Sequence, residues 1–315
     1  IAEIGNNHNG SIDLAYEMID KAKESGVDCV KFQMRDMGTL YGQEFSLHDQ
    51  NLTVQYTIDL LGKNQLSADD LIQAMDYARE QGLTPLCTPW DIKSVDKLEG
   101  CGVSGYKVAS ADLTNHALIN RIAETKKTIF VSTGMSTQME ILETINILEA
   151  HAANYVLLHC NATYPPPVHD INLNYINKLQ ELSGKPVGYS GHERGINIPI
   201  AAVALGAVVI EKHITLDKSL EGSDHRISLL PTEFKAMVSA IREISEALGT
   251  DGEREISQGE MLNRTTLAKS LFSKNDLPKG HLINPSDLTI KSPGHGLQPN
   301  KASTIVGRRL ERPIK

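Results

Sequence analysis

Along roughly the first 250 residues, short apolar runs of strand composition alternate with longer stretches whose apolar positions recur every three or four residues. The runs at 1–5, 28–33, 84–88, 105–110, 128–132, 155–160, 186–190 and 208–213 read as eight strands. Between them, 11–25, 67–80, 136–150 and 231–248 read as amphipathic helices. Several open on Ser or Thr with an acid three residues on, as in Ser136-Thr-Gln-Met-Glu140, the spacing that satisfies free N–H groups at a helix start. Eight strand-then-helix units predict an α/β protein, and specifically a (β/α)8 TIM barrel. A doubly wound sheet fits less well, because no G-x-G-x-x-G turn follows the first strand.

The barrel is expected to occupy 1–248, followed by a polar, glycine-containing linker over 249–264. From 265 the pattern changes. Ser270-Leu-Phe-Ser273, Leu288-Thr-Ile290 and Thr304-Ile-Val306 are short β signals separated by turn clusters such as Leu277-Pro-Lys-Gly280, which predicts a small β-rich module over 265–315. About 50 residues make a marginal domain, so this module is expected to dock on its own barrel or on that of a second subunit.

Composition narrows the function. With 40% hydrophobic and 22% charged residues among 315, the chain is an ordinary globular one. Aromatics are 5%, Trp90 is the single tryptophan, and the net charge is −8, all of which argue against a nucleic-acid partner. The longest nearly continuous apolar stretch, 198–210, falls short of the ~20 residues that cross a bilayer, so no membrane span is expected. Cys29, Cys87, Cys101 and Cys160 lie far apart without C-x-x-C spacing and read as reduced packing residues of a cytoplasmic protein. No signal-peptide pattern is visible. From residue 265 on, nine Lys and Arg face three acids, +6 against −14 for the preceding residues, so the tail is either a basic surface awaiting an acidic one or a solvated face.

A barrel of this kind carries its active site at the C-terminal ends of its strands, so the polar residues there are the informative ones. They are Glu3, Lys31 with Gln33, Thr88, Lys107 with Ser110, Ser132, His159, Ser190 with His192, and Glu211 with His213, all expected to converge on one mouth. Two ammonium groups, Lys31 and Lys107, with the hydroxyls of Thr88, Ser110 and Ser132, are an inventory for a small phosphorylated or carboxylated anion. His192 and His213 end adjacent strands and are placed to share one divalent ion, or else are two satisfied core histidines. Glu3, Glu211 and Asp224 are acids near the same rim, suited to orienting water or moving a proton. Covalent hydrolysis fits poorly: there is no G-x-S-x-G elbow, and His159 and Cys160 face opposite sides of one strand.

Ala2-Glu-Ile-Gly-Asn-Asn-His-Asn-Gly10, Val30-Lys-Phe-Gln33, Gly105-Tyr-Lys-Val-Ala-Ser110, Val131-Ser-Thr-Gly-Met135, Leu158-His-Cys160 with Tyr164-Pro165, Gly188-Tyr-Ser-Gly-His192 and Ile210-Glu-Lys-His213 follow one another along the chain. In that order they resemble the sialic acid synthase family, the phosphoenolpyruvate-dependent synthases of nonulosonic acids. The tail from about Ser270 resembles that family's C-terminal domain, which is similar to type III antifreeze proteins (SAF). The resemblance implies that C3 of phosphoenolpyruvate attacks the aldehyde carbon of an open-chain N-acylated mannosamine-type sugar. Water then adds at C2, and phosphate leaves by C–O cleavage.

It further implies that His192 and His213 hold Mn2+ or Mg2+, that Glu3 acts as a base, and that Asp224 contacts metal-bound water. Lys31, Thr88, Lys107, Ser110, Ser132 and Ser190 would bind phosphoenolpyruvate, and Gln33, Asp112 and Tyr164 would line the sugar site. A domain-swapped homodimer is implied as well. Ser292 stands where sialic acid synthases often carry an Arg that reaches the sugar's N-acyl group, Gly191 where an Asp is usual, and Ala162 where some members have an Asn. Asp112 is a Glu in some members, and the tail stops before the usual final strand. N-acetylneuraminate is the leading product, with legionaminic or pseudaminic acid, made from a 2,4-diacetamido-trideoxy hexose, as the alternative. A catalytically silent sugar- or anion-binding barrel and a metal aldolase using pyruvate remain as readings from other classes.

Overall fold

The computed structural model describes residues 1–41 and 52–315, with the side chains of 52–57 left aside. Eight parallel strands close into a barrel in chain order: β1 (Ala2–Glu3), β2 (Cys29–Met34), β3 (Thr84–Pro89), β4 (Gly105–Val108), β5 (Thr128–Ser132), β6 (Tyr155–Cys160), β7 (Val187–Gly191) and β8 (Val209–His213). This is the architecture that the alternating pattern predicts. Closure runs through β1, where Glu3 pairs with Lys31 on one side and His213 on the other. That register sets three of the expected site residues side by side before any side chain is considered.

Helices pack around the barrel by the apolar stripe that the sequence displays. In the helix Ile12–Glu24, Ala15, Met18, Ile19 and Ala22 are buried, a spacing of three and four that places them on one face. Starts are fixed by side-chain caps: Ser11 accepts from Leu14 N, Ser67 from Asp70 N and Asp91 from Ser94 N. In the helix Gln138–Ala150 the cap is Thr137 rather than Ser136, and Glu140 completes a capping box with it. The strands approach so closely that a Cβ at Gly188 would meet Val209 O at 2.6 Å and Leu158 Cδ2 at 2.5 Å, so this position requires glycine.

The chain divides into two compact units, Ile1–Gly249 and Thr250–Lys315. Taken alone, the second has a two-stranded antiparallel sheet of β9 (Ser270–Ser273) and β10 (Leu288–Lys291), with bridges Leu277–Ile314 and Leu282–Arg309. Two expectations are corrected there. The stretch read as linker holds most of a helix, Gln258–Leu267, because Ser257 and Glu260 form a capping box that outweighs the polar composition. Thr304-Ile-Val306 is no strand: the 3-10 turns of Pro299–Thr304 run into it. Among the described residues no helix is long and apolar enough to cross a membrane, and all four cysteines are free thiols.

Candidate active site

Strand residues alternate between barrel interior and helix layer, so position along each strand decides which side chains meet. At the C-terminal mouth, Glu3, Lys31, Gln33, Thr88, Lys107, Ser110, Ser132, Tyr164, Ser190, His192, Glu211, His213 and Asp224 all line one cavity of 470 Å³. Thirteen of the fourteen residues expected to act in catalysis, substrate binding or metal binding are thus brought together. The exception is Asp112. It lies in the 3-10 turn Ser110–Asp112, where the chain curls away from the cavity after Ser110 and Ala111, and its carboxylate accepts from Asn115 Nδ2 at 3.0 Å.

His159, expected at the mouth, also turns away from it. Its Nε2 bonds to Ile171 O and its ring packs against Tyr175 and Tyr189. The reason is parity: Cys160, one residue on, takes the inward place beside Ser110 and His192. A larger hollow of 810 Å³ adjoins this region, lined by His159, Tyr175 and Lys178 among others, but the paired ionisable groups belong to the smaller cavity.

The floor of the cavity is a buried charge cluster. Lys31 Nζ lies 2.9 Å from Glu3 Oε2 and 3.4 Å from Glu211 Oε1 and donates to Thr88 Oγ1 at 3.0 Å. The two carboxylates are shifted in opposite directions. Burial pushes Glu3 above its ordinary value against the pull of Lys31. Burial acts on Glu211 too, but Lys31 and Lys107 together hold it well below. Lys31 is drawn above its ordinary value by Glu211 and Glu3 despite burial, while burial pulls Lys107 below its own. Lys107 donates to Val108 O at 3.1 Å, and Ser132 Oγ is buried with no hydrogen-bond partner among the described residues, so both have capacity for an incoming ligand.

Hydrogen bonds fix the orientation of these groups. Gln33 Nε2 donates to Glu3 Oε1 at 2.5 Å, while Gln33 Oε1 accepts from both Arg35 Nη2 and Trp90 Nε1. With two donors on its oxygen, the amide has only one orientation available. Gly5, at φ +54°, turns the chain over this pair, and a Cβ there would stand 3.0 Å from Glu3 Oε1. Ser110 Oγ accepts from Gly134 N at 3.2 Å, and a Cβ at Gly134 would collide with it at 2.7 Å.

At the ends of β7 and β8, the latter paired with β1 beside Glu3, stand the two imidazoles, ring centroids 5.6 Å apart. His192 Nδ1 is committed to Asn161 O at 2.7 Å, which leaves Nε2 for another partner. His213 is kept neutral, its pKa lowered to about 4, chiefly by burial. Its Nδ1 lies 3.6 Å from Asp224 Oδ2 and has no hydrogen-bond partner among the described residues. Tyr164 stacks on His192 at 4.0 Å. Among the described residues no third His, Cys, Asp or Glu joins the two imidazoles in a ligand cluster.

The sequence reading omitted several residues that line the cavity, among them Asn6, Arg35, Trp90, Met135 and Ser223. The alternation that places Lys31 and Gln33 inward extends to Arg35, which was the available signal.

Residues 18–253 match the model of the NeuB family and 268–315 that of the SAF domain. The chain is 37% identical over 315 residues to N,N'-diacetyllegionaminic acid synthase of Campylobacter jejuni, spanning 98% of this chain and 94% of that protein. It is 35% identical over 321 residues to human N-acetylneuraminate-9-phosphate synthase, spanning 98% and 88%. The crystal structure of N-acetylneuraminic acid (sialic acid) synthetase from Leptospira borgpetersenii serovar Hardjo-bovis in complex with citrate superposes with a TM-score of 0.76 at 31% identity, covering 84% of this chain and 90% of that one.

Proposed function

The chain belongs to the NeuB family, and on that premise we propose that it is a sialic-type acid synthase, condensing phosphoenolpyruvate with an N-acylated mannosamine-type aldehyde and water to give a nonulosonic acid and phosphate. The observation that carries this reading is the floor of the mouth, where Lys31 and Lys107 line one cavity with the hydroxyls of Thr88 and Ser132 beside two carboxylates shifted in opposite directions. That set suits an enol phosphate, whose carboxylate and phosphate need several donors at fixed positions.

The residues divide the work as follows. Lys107, Ser132 and Ser190 receive the anion, while Lys31, held by Glu3, Glu211 and Thr88, presents its ammonium in one place. As the new carbon–carbon bond forms, charge develops at C2 of the enol and water adds there. Glu3 takes the proton of that water, because a carboxyl raised above its ordinary value binds a proton readily. Gln33, locked by Arg35 and Trp90, keeps the Glu3 carboxylate aimed. Tyr164 forms the wall against which the sugar lies. Glu211 stays ionised and balances the two lysines after phosphate leaves.

A divalent ion fits the imidazole pair. His213 is neutral and has an orphaned Nδ1, and His192 has an uncommitted Nε2, so these two residues would hold Mn2+ or Mg2+. Bound there, such an ion would act as a Lewis acid on the aldehyde oxygen.

The test is inorganic phosphate release from phosphoenolpyruvate with N-acetylmannosamine or a 2,4-diacetamido-trideoxy hexose, with and without chelator. Release that requires both substrates and stops with chelator is the expected result. Release with no acceptor at all would refute the synthase reading, and release indifferent to chelator would refute the metal.

A further inference from the structure

Behind the two imidazoles lies a buried ion pair that the condensation as derived does not use. Lys212 and Glu193 are both buried, with Lys212 Nζ 3.2 Å from Glu193 Oε1. The same ammonium donates to the backbone oxygen of Glu193, and Tyr189 Oη donates to Glu193 Oε2 at 2.6 Å. Strand alternation turns Ser190, Glu211 and His213 inward, and Tyr189 and Lys212 outward, so this network stands on the helix side of the barrel wall.

Its two charged members flank the imidazoles by one residue each: Glu193 follows His192, and Lys212 precedes His213. The β7–β8 ladder ends at Gly191 and Lys212, and the β6–β7 ladder at Cys160 and Ser190, so His192 lies past both. The bond from Lys212 Nζ to the Glu193 backbone oxygen ties the chain back to β8 just beyond that histidine. Gly191 makes room for the arrangement. A Cβ there would meet both carboxylate oxygens of Glu193 and Tyr189 Cε1 at 2.7 Å, so the carboxylate fills the space that a side chain at 191 would need. A buried ion pair returns little net stability against its desolvation, and its better attested use is to hold one arrangement among several.

We propose that Lys212 and Glu193 are positioning residues, a clamp that fixes the backbone carrying His192 against the strand carrying His213 and so sets how tightly the two imidazoles hold a divalent ion. The inference rests on the imidazole pair being the metal site, as read above. The bond from His192 Nδ1 to Asn161 O aims the ring, and the clamp fixes what that bond does not, the place of the His192 backbone relative to β8. Two side chains bind one ion together when their lone pairs converge, so slack in that backbone weakens the site without removing a ligand.

The experiment titrates the protein with Mn2+ in the absence of substrates, reading free Mn2+ by electron paramagnetic resonance, beside circular dichroism melting. The proteins are the wild type, Glu193→Gln, Lys212→Met, Glu193→Gln/Lys212→Met and His213→Ala. Each of the two clamp single variants strands one buried group and should melt below the wild type, and the double variant should melt above both. The Mn2+ Kd should rise by about 10- to 100-fold in Lys212→Met and stay raised in the double variant, as for the loss of a partner that orients a metal ligand. A role in stability alone predicts the opposite course, and a Kd that returns to the wild-type value as the melting midpoint recovers overturns the proposal. If the double variant fails to fold, Tyr189→Phe decides, since it removes one hydroxyl and leaves both charges. A Kd raised about threefold or more supports the clamp, and an unchanged one overturns it. Equal Mn2+ binding by the wild type and His213→Ala refutes the imidazole site itself and the clamp with it. That outcome is distinct from a site that His213→Ala abolishes and the double variant leaves intact.

Discussion

Replacing Lys31 by Met tests the charge cluster at its most buried point. Lys31 Nζ stands 2.9 Å and 3.4 Å from its two carboxylate partners, and the side chains of Lys31, Glu3 and Glu211 are 4%, 1% and 5% exposed. At an effective dielectric constant of ~20 these separations correspond to gross attractions of about 6 and about 5 kcal/mol. Desolvation of three charges cancels most of that, so the cluster adds little net stability while intact. Removing the ammonium alone leaves the desolvation cost in place, and the measured consequence of stranding a buried charge is about 3–5 kcal/mol. Met keeps the length and approximate volume of the side chain, so a cavity contributes little. At ~2–4 °C per kcal/mol for a domain of this size, the thermal midpoint should fall by about 6–20 °C. Lys31→Met/Glu211→Gln should recover about half of the loss, since one of the two stranded charges is gone. Circular dichroism melting of the three proteins near neutral pH is the assay. A single mutant within ~2 °C of the wild type, or a double mutant no more stable than the single, would refute the reasoning.

Three other perturbations probe different parts of the barrel. His213→Ala is expected to lower the chelator-sensitive rate by at least about 10²-fold while leaving the melting midpoint nearly unchanged; a near-normal rate would remove His213 from the metal assignment. Tyr164→Ala removes the ring stacked on His192 and one wall of the cavity. It should raise the acceptor KM by about 10-fold, from ~0.5–1.5 kcal/mol of aromatic contact, and leave KM for phosphoenolpyruvate alone; equal changes in both would count against a sugar-side place. Burial lowers His8 from 6.5 to about 4, so the unfolded chain protonates it first. Its contribution is therefore complete above pH ~6.5 and is lost as the pH falls toward ~4, by about 3 kcal/mol in all. In His8→Gln that part of the slope of unfolding free energy against pH should disappear, and an unchanged slope would contradict the assignment.

Much of this fold was legible because a barrel of parallel strands writes its inside and outside as alternate residues. Lys31 and Gln33, Glu211 and His213 could be placed inward by counting alone. The same rule exposes the errors. His159 was drawn to the mouth because it is polar and near a strand end, yet it has the outward parity and Cys160 the inward one. Asp112 lies beyond the strand, where a 3-10 turn replaces alternation and the count no longer predicts direction. Arg35 was lost for a related reason: β2 ends at Met34, and the reading stopped with it. In the tail, a single capping box at Ser257 and Glu260 fixed a helix inside a segment whose average composition suggested a linker.

The cations of the mouth are best distinguished by what already neutralises them. Lys31 is held between Glu3 and Glu211, so it orients more than it attracts. Among the described residues the Lys107 ammonium donates only to a backbone carbonyl, and it lines the same cavity as the unsatisfied hydroxyl of Ser132, so the floor's capacity for an anion is concentrated there. Arg35 has two neutral amides and the face of an indole, and no carboxylate within ion-pair distance among the described residues. Glu211, which Lys31 and Lys107 together hold below its ordinary value, balances both lysines in part, so the capacity for a further anion lies with Lys107 and its neighbours rather than with Lys31.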